Sequence, residues 1–335
     1  MFPRIPLFSA PVSALALACA ALAACASKPP APAAAAYTGP VVTLHPVPTG
    51  ATLVSTGNAG SPAIAWLNTR RAELGLAPIA VDRDLAQAAA AHARYLQLNR
   101  AAGHDERPDL PGFTGSDVIT RVRLHTPVAG ASEVFAVYGG QRAPALPIDE
   151  IFAAPYHRGA MLYDWARAGE AALNADASIT VLDFADPAPA LTASELVAYP
   201  YPGQTDAPLA WTDEETPDPM GPDGRYRGAV LGYPITLSGG TNAHVDLLTF
   251  ELRNAKGKTV RCHIAPVTPA QSGRNTAVCT PYEPLLPGTR YSAHATGLLT
   301  QQYGAANVPF DLSWTFSTAA PHPRTLFATR ADTLD

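Results

Sequence analysis

The chain has 335 residues, a net charge of −5 and 23 basic residues, of which only Lys28, Lys256 and Lys258 are lysines. That length exceeds one ordinary domain and suits two, each large enough to bury its own core. No basic field exists to attract phosphate backbones, which excludes nucleic acid as a partner. With alanine and proline abundant, the arginine preference reads as coding bias, and a single arginine carries little functional signal.

The N-terminus has the build of a targeting segment: Arg4, then an apolar run over residues 12–24 that is too short to span a bilayer. It ends Leu22-Ala23-Ala24-Cys25, which resembles the bacterial lipobox. The resemblance implies a type II signal peptide over 1–24, cleavage before Cys25, and acyl chains on Cys25. Several chains anchor firmly, at about 0.8 kcal/mol per buried methylene. Ala26, rather than aspartate, follows the cysteine and points to the outer membrane of a Gram-negative cell. The membrane face and the oligomeric state stay open. Residues 25–60 are rich in alanine and proline and read as a tether.

The first folded unit spans 61–186. Ser61 is an N-cap candidate and Pro62 suits the first helical position. Ile64, Leu67 and Leu74 form a stripe that Gly75 closes. Asp82 caps a second helix, whose apolar face carries Leu85, Ala88, Ala89, His92 and Leu96. On that face His92 reads as a packed, hydrogen-bonded histidine. Residues 103–115 are loop, and 132–138 fit a short helix or a strand. Ile148, Ile151 and Phe152 mark a third helix that Pro155 terminates. Residues 178–184 alternate as a buried strand. The unit is therefore α+β.

Residues 187–225 are proline-rich and acidic. Their DEETPDPMGPDG run lacks the ligand spacing of a calcium loop and reads as solvated linker. Residues 226–318 are all-β, with strands expected at 245–252, 259–264, 276–280, 290–297 and 312–316. Residues 319–335 form a tail. Of four cysteines, Cys262 and Cys279 lie in the folded part. Export implies an oxidising compartment, so these two pair in a disulfide contributing about 3 kcal/mol.

The stretch LNTRRAELGLAPIAVDRDLAQAAAAHARYL, then AAGHDE, ASEVF and APYHRGAML, resembles the CAP superfamily over about residues 64–169. This group comprises the cysteine-rich secretory, antigen 5 and pathogenesis-related 1 proteins and their bacterial SCP-like relatives. On that resemblance His104 and His157 fall on the two pocket histidines and Glu133 on the glutamate of a glycine-glutamate-asparagine motif. Here Ala131-Ser132 precede Glu133 and Val134 follows it, so the glycine and asparagine are missing. Ala154-Pro155 replace a second glutamate, and Glu150 lies too early to substitute. Further on, LLPGTRYSAHATG and WTFST resemble bacterial immunoglobulin-like domains, in which the tyrosine points inward. Together the two resemblances imply a CAP-type α-β-α sandwich followed by an immunoglobulin-like β-sandwich.

Two imidazoles and a carboxylate are good zinc ligands and leave one coordination position open, so zinc is the single cofactor this trio suggests. Asp105 and Glu106 are candidates for a general base. No HExxH, GxSxG or free thiol is present. The preferred reading is a lipoprotein that binds a lipid or glycan in a His104/Glu133/His157 pocket without turnover. The alternatives are a zinc-dependent hydrolase of envelope peptides or glycans and a purely structural adhesion protein. Enzymatic activity stays open, with the weight against it.

Overall fold

The computed structural model describes residues 39–48, 61–140, 148–265, 275–301 and 307–321. The signal segment, Cys25, most of the tether and residues 322–335 lie outside them. The described piece of the tether is not free chain. Strand β1 (Thr43–Leu44) pairs in parallel with Glu195 and Leu196, and Val42 is buried in the main core.

Helix α1 (Pro62–Glu73) opens on Pro62, as expected, but the Ser61 side chain makes no capping bond. Glu170 supplies the cap from elsewhere in the chain, its Oε2 accepting from Ile64 N at 2.8 Å. Gly75 follows the helix at φ +75°, a conformation that favours glycine. After β2 (Ala80–Val81) comes α2 (Arg83–Asn99). Asp82 Oδ1 caps it by accepting from Asp84 N at 2.8 Å and Leu85 N at 3.0 Å. Then follow α3 (Val118–Arg123), β3 (Ala131–Gly139), α4 (Ile148–Ala153), α5 (Pro155–Met161), β4 (Trp165–Asn174) and β5 (Ala177–Pro187). Residues 132–138 thus resolve as strand. Pro155 ends α4 and opens α5, because its missing N–H is harmless at a first helical position. Strand β4 escaped prediction: its alanine-rich sequence has no alternation, and pairing with β5 overrides propensity.

The sheet order is β2-β4-β5-β3. Helix α2 covers one face, with Ala89, Ala93 and Leu96 against Ile179 and Val181. The other face carries α1 and α4, which share a core with Leu182 and Phe184. Helices on both faces explain why β5 is buried along most of its length rather than alternating. The close approach of α2 requires Gly169, where a Cβ would meet the Ala86 backbone nitrogen at 2.0 Å.

The all-β region starts earlier than expected. Its strands are β6 (Glu195–Tyr199), β7 (Ala210–Thr212), β8 (Val230–Gly232), β9 (Ile235–Gly239), β10 (Ala243–Asn254), β11 (Thr259–Val260), β12 (Cys262–Ile264), β13 (Thr276–Pro281), β14 (Arg290–Gln301) and β15 (Val308–Ser317). One sheet runs β1-β6-β9-β13-β12 and the other β11-β10-β14-β15; β7 and β8 form a separate hairpin. Residues 187–225 are therefore not a solvated linker. They supply β6 and β7 and bury Leu196 to Tyr199, Trp211, Asp213 and Glu215. The strand expected at 259–264 divides at Arg261 into β11 and β12, which join different sheets. Cys262 and Cys279 form the expected disulfide across β12 and β13, with Cα atoms 5.4 Å apart.

One core runs through both halves. At its centre Arg158, fully buried on α5, donates to Phe152 O at 3.0 Å, Ala153 O at 2.8 Å and Pro234 O at 2.7 Å. Its guanidinium stacks over Tyr233 at 4.5 Å, Tyr199 at 4.8 Å and Phe152 at 5.5 Å. It thereby caps the last carbonyls of α4 and fastens them to the start of β9.

Candidate functional site

The site lies along β3, the outermost strand of the α+β sheet. Glu133 on β3 stands opposite Asp183 on β5, and the face carrying both is covered by α2, which brings His92 over them. His104, in the loop after α2, places Nδ1 2.8 Å from Glu133 Oε1. Its ring meets Phe135 edge-to-face at 4.8 Å, and its side chain keeps 42% exposure. Arg121, buried on α3, donates to Glu133 Oε2 at 2.8 Å and to His104 O at 2.7 Å. Behind these, His92 Nδ1 lies 2.9 Å from Glu106 Oε1, and its Nε2 lies 3.1 Å from Gly103 O. The packed, hydrogen-bonded role expected of His92 is borne out.

Glu106 is buried and also accepts from Thr114 N at 2.6 Å, so it braces the loop rather than serving as a free base. Asp105 is exposed. Burial pushes the Glu133 carboxyl up, but the hydrogen bond from His104 and the charges of His92, Arg121 and His104 outweigh it. They hold Glu133 below the usual carboxylate range. Asp183 goes the other way: burial and the Glu133 charge raise it well above that range.

His157 takes a different partner from the one expected. It stands on α5, and its Nδ1 lies 3.4 Å from Glu215 Oε1. That carboxyl also accepts from His157 N at 2.7 Å and Tyr156 N at 3.2 Å, at the first turn of α5. Burial raises Glu215 to about 8, against the pull of those two amides, and lowers His157 to about 4, helped by the charge of His104. Between these values both groups are neutral.

His104 and His157 nevertheless face one cavity of about 710 Å³, within the range of small-ligand pockets. The α+β half contributes Phe135, Tyr138, Glu150 and Ala154. The β7–β8 hairpin contributes Trp211, Glu214, Glu215, Arg227 and Val230. His104, Glu133 and His157 thus border one site but do not form a single chelating trio. Both Glu133 oxygens are already engaged, and among the described residues no three His, Cys, Asp or Glu side chains are placed to hold a metal ion. The donor set does not fit the three-ligand zinc site expected of it.

Sequence reasoning missed Arg121, Asp183, Trp211 and Glu215. Asp183 carried a signal, since a carboxylate inside the apolar run SITVLDFAD needs a buried partner. Glu215 carried none, lying in a run that reads as solvated charge.

An α+β domain with two imidazoles, each braced by a buried carboxylate, is thus completed by a wall from an all-β region. Residues 64–164 match the family model described as CAP, the cysteine-rich secretory protein family, and this segment is a CAP domain. No curated protein matches the chain. Among solved structures, an extracellular protein containing an SCP domain from Bacillus anthracis str. Ames is similar at 18% identity and a TM-score of 0.32. The match covers 37% of this chain and 39% of that one, well under half of its length. An outer surface protein from Borrelia burgdorferi is similar at 17% identity and a TM-score of 0.32, over 40% of this chain and 97% of that one.

Proposed function

We propose that this is an exported ligand-binding protein whose CAP pocket holds a small polyhydroxylated molecule, a short glycan or the polar headgroup of a lipid, without turning it over. The observation that carries this reading is the pair of braced imidazoles on one cavity. Glu133 Oε1, 2.8 Å from His104 Nδ1, fixes that ring and leaves its Nε2 for a ligand. Glu215, whose Oε1 accepts from His157 N and lies 3.4 Å from Nδ1, holds the second ring at the cavity wall. Two ring nitrogens beside Phe135 and Trp211 suit vicinal hydroxyls. The saturation of Glu133 supports recognition by the side chains themselves rather than through zinc.

Export is supported by the disulfide, by the secretory description of the family, and by the lipobox-like Leu22-Ala23-Ala24-Cys25, which would anchor the chain to the outer membrane through lipidated Cys25. We read the all-β region as an immunoglobulin-like sandwich. Lettered in chain order, its sheets follow A-B-E-D and C′-C-F-G, and Tyr291 at the start of the sixth strand accepts from Leu286 N at 2.8 Å, in the manner of a tyrosine corner. The β7–β8 hairpin is then an insertion between its first two strands.

Calorimetric titration with envelope glycan fragments, with lipid vesicles and with zinc tests the reading. Saturable binding of a glycan or lipid, lost in His104→Ala/His157→Ala, is expected. Zinc-dependent hydrolysis of an envelope peptide or glycan would overturn it in favour of an enzyme. Partner binding that ignores the double substitution, yet vanishes when residues 226–318 are removed, would overturn it in favour of adhesion.

A further inference from the structure

A second cavity, of about 290 Å³, borders α5 as the imidazole cavity does but shares none of its lining residues. It lies just under the usual size of small-ligand pockets, which leaves room for a single ring. Its walls come from Ser132 near the start of β3, Tyr156 on α5, Tyr163 and Trp165 after that helix, and Asn275 beside β13. No carboxylate, guanidinium, ammonium or imidazole stands among the described residues that line it.

Two rings form one corner of this cavity. Trp165 Nε1 donates to Ala160 O at 2.9 Å, so the indole is held and has only its ring surface to offer. The Tyr163 ring stands 4.8 Å from it at 46°, a corner rather than a stack. Tyr163 O accepts from Arg71 Nη1 at 2.8 Å, which fixes the backbone behind that ring. Gly159 lets β13 approach α5, since a Cβ there would run into the Thr276 hydroxyl.

The oxygens around this corner are uncommitted. Asn275 is only 6% exposed, and its Nδ2 donates to Gly239 O at 3.0 Å. That bond sets the orientation of the amide and leaves Oδ1 without a hydrogen-bond partner among the described residues. The hydroxyls of Ser132, Tyr156 and Tyr163 have no such partner either, and none of these oxygens is sealed from solvent. Polar atoms at a buried surface are normally paired, so the cavity suits a guest that brings hydroxyls to them. The guest must also be compact, uncharged and apolar on one face. A pyranose ring meets all of these conditions. A carboxylated sugar would lose its hydration with no cation to replace it. A quaternary ammonium would use the rings and leave every oxygen unpaired.

We propose that this cavity binds one neutral sugar ring, stacked in the corner of Tyr163 and Trp165 and hydrogen-bonded by Ser132, Tyr156 and Asn275. The proposal does not depend on what the imidazole cavity binds. The test is saturation-transfer NMR and calorimetry on the full chain with methyl glucoside, methyl galactoside and N-acetylglucosamine. Saturable binding of at least one of them is expected, and methyl glucuronide should not bind.

Tyr163→Ala removes a ring and should weaken binding about tenfold. Tyr156→Phe removes only a hydroxyl and should weaken it about fivefold. Thermal unfolding confirms that each variant is folded. His104→Ala/His157→Ala should bind the sugar as the wild type does, which separates this site from the imidazole cavity. The proposal falls if none of the three sugars binds, or if binding is unchanged in both tyrosine variants. It falls equally if the double histidine variant loses the sugar. Choline binding in place of the sugars would overturn it in favour of a cation cage.

Discussion

Replacing Arg158 with methionine keeps most of the side-chain volume and removes the charge. The guanidinium makes three hydrogen bonds of 2.7 to 3.0 Å to carbonyls from α4 and from the chain leading into β9. Two of those carbonyls, Phe152 O and Ala153 O, belong to the last turn of α4, where no following helical amide reaches them. Bonds to charged groups are worth about 1.5–3 kcal/mol each, and each orphaned carbonyl costs about 1–3 kcal/mol. Against this stands the several kcal/mol already lost in desolvating the guanidinium, which methionine recovers. Netting the two gives a destabilisation of about 3 kcal/mol for Arg158→Met, equivalent to a fall of roughly 6 °C in melting temperature. Arg158→Lys keeps a point charge but cannot fork across three carbonyls, and should fall between the two. Urea unfolding followed by tryptophan fluorescence and near-ultraviolet circular dichroism measures the loss. An Arg158→Met midpoint equal to that of the wild type would show that desolvation cancels the bonds, and the role of Arg158 as the fastening between the halves would fall.

Two further predictions concern protons. Asp183 is raised from 3.8, so its contribution is whole below that value and is lost as pH rises toward the folded value. Asp183→Asn supplies a permanently neutral donor to Glu133 and should stabilise the protein by about 1–2 kcal/mol at pH 7.5, with no gain near pH 4. Urea midpoints at the two pH values measure this; a variant no more stable at pH 7.5 would mean that Asp183 is ionised in the fold. His157 is lowered from 6.5 to about 4, so its contribution is present above about 6.5 and lost as pH falls through 4. The wild type should lose at most about 3 kcal/mol across that window through this residue. His157→Gln should flatten that part of the profile, and an unchanged acid slope in the variant would refute it.

The sequence made the α+β half legible where local chemistry decides structure. Pro62, Gly75 and Asp82 mark helix ends in the chain as in the fold, and His104 and Glu133 meet because a single excursion from α2 to β3 separates them. Legibility fails where distant partners decide. The cap on α1 comes from Glu170, more than 100 residues from Ile64, and nothing near Ser61 announces it. His157 is braced by Glu215 because α5 packs on the all-β region, a contact that composition cannot reveal. Counting charge in the 213–223 run hid the burial of Asp213 and Glu215, since acidic residues read as solvated whether or not water reaches them. Discounting arginines as coding bias likewise hid Arg121 and Arg158, two of the most buried side chains in the molecule.

The hairpin that walls the pocket leaves the β-sandwich after Tyr199 and re-enters it at Ile235, on strands that already pair with one another. An excursion between adjacent strands can change in length or sequence without altering the register of either sheet. Trp211, Glu214 and Arg227 all lie on it. Substitution in that appendage can therefore reshape the pocket wall while residues 64–164 stay untouched. Residues 61–186 carry both histidines, but the wall that closes the pocket over them comes from Trp211, Glu214 and Arg227.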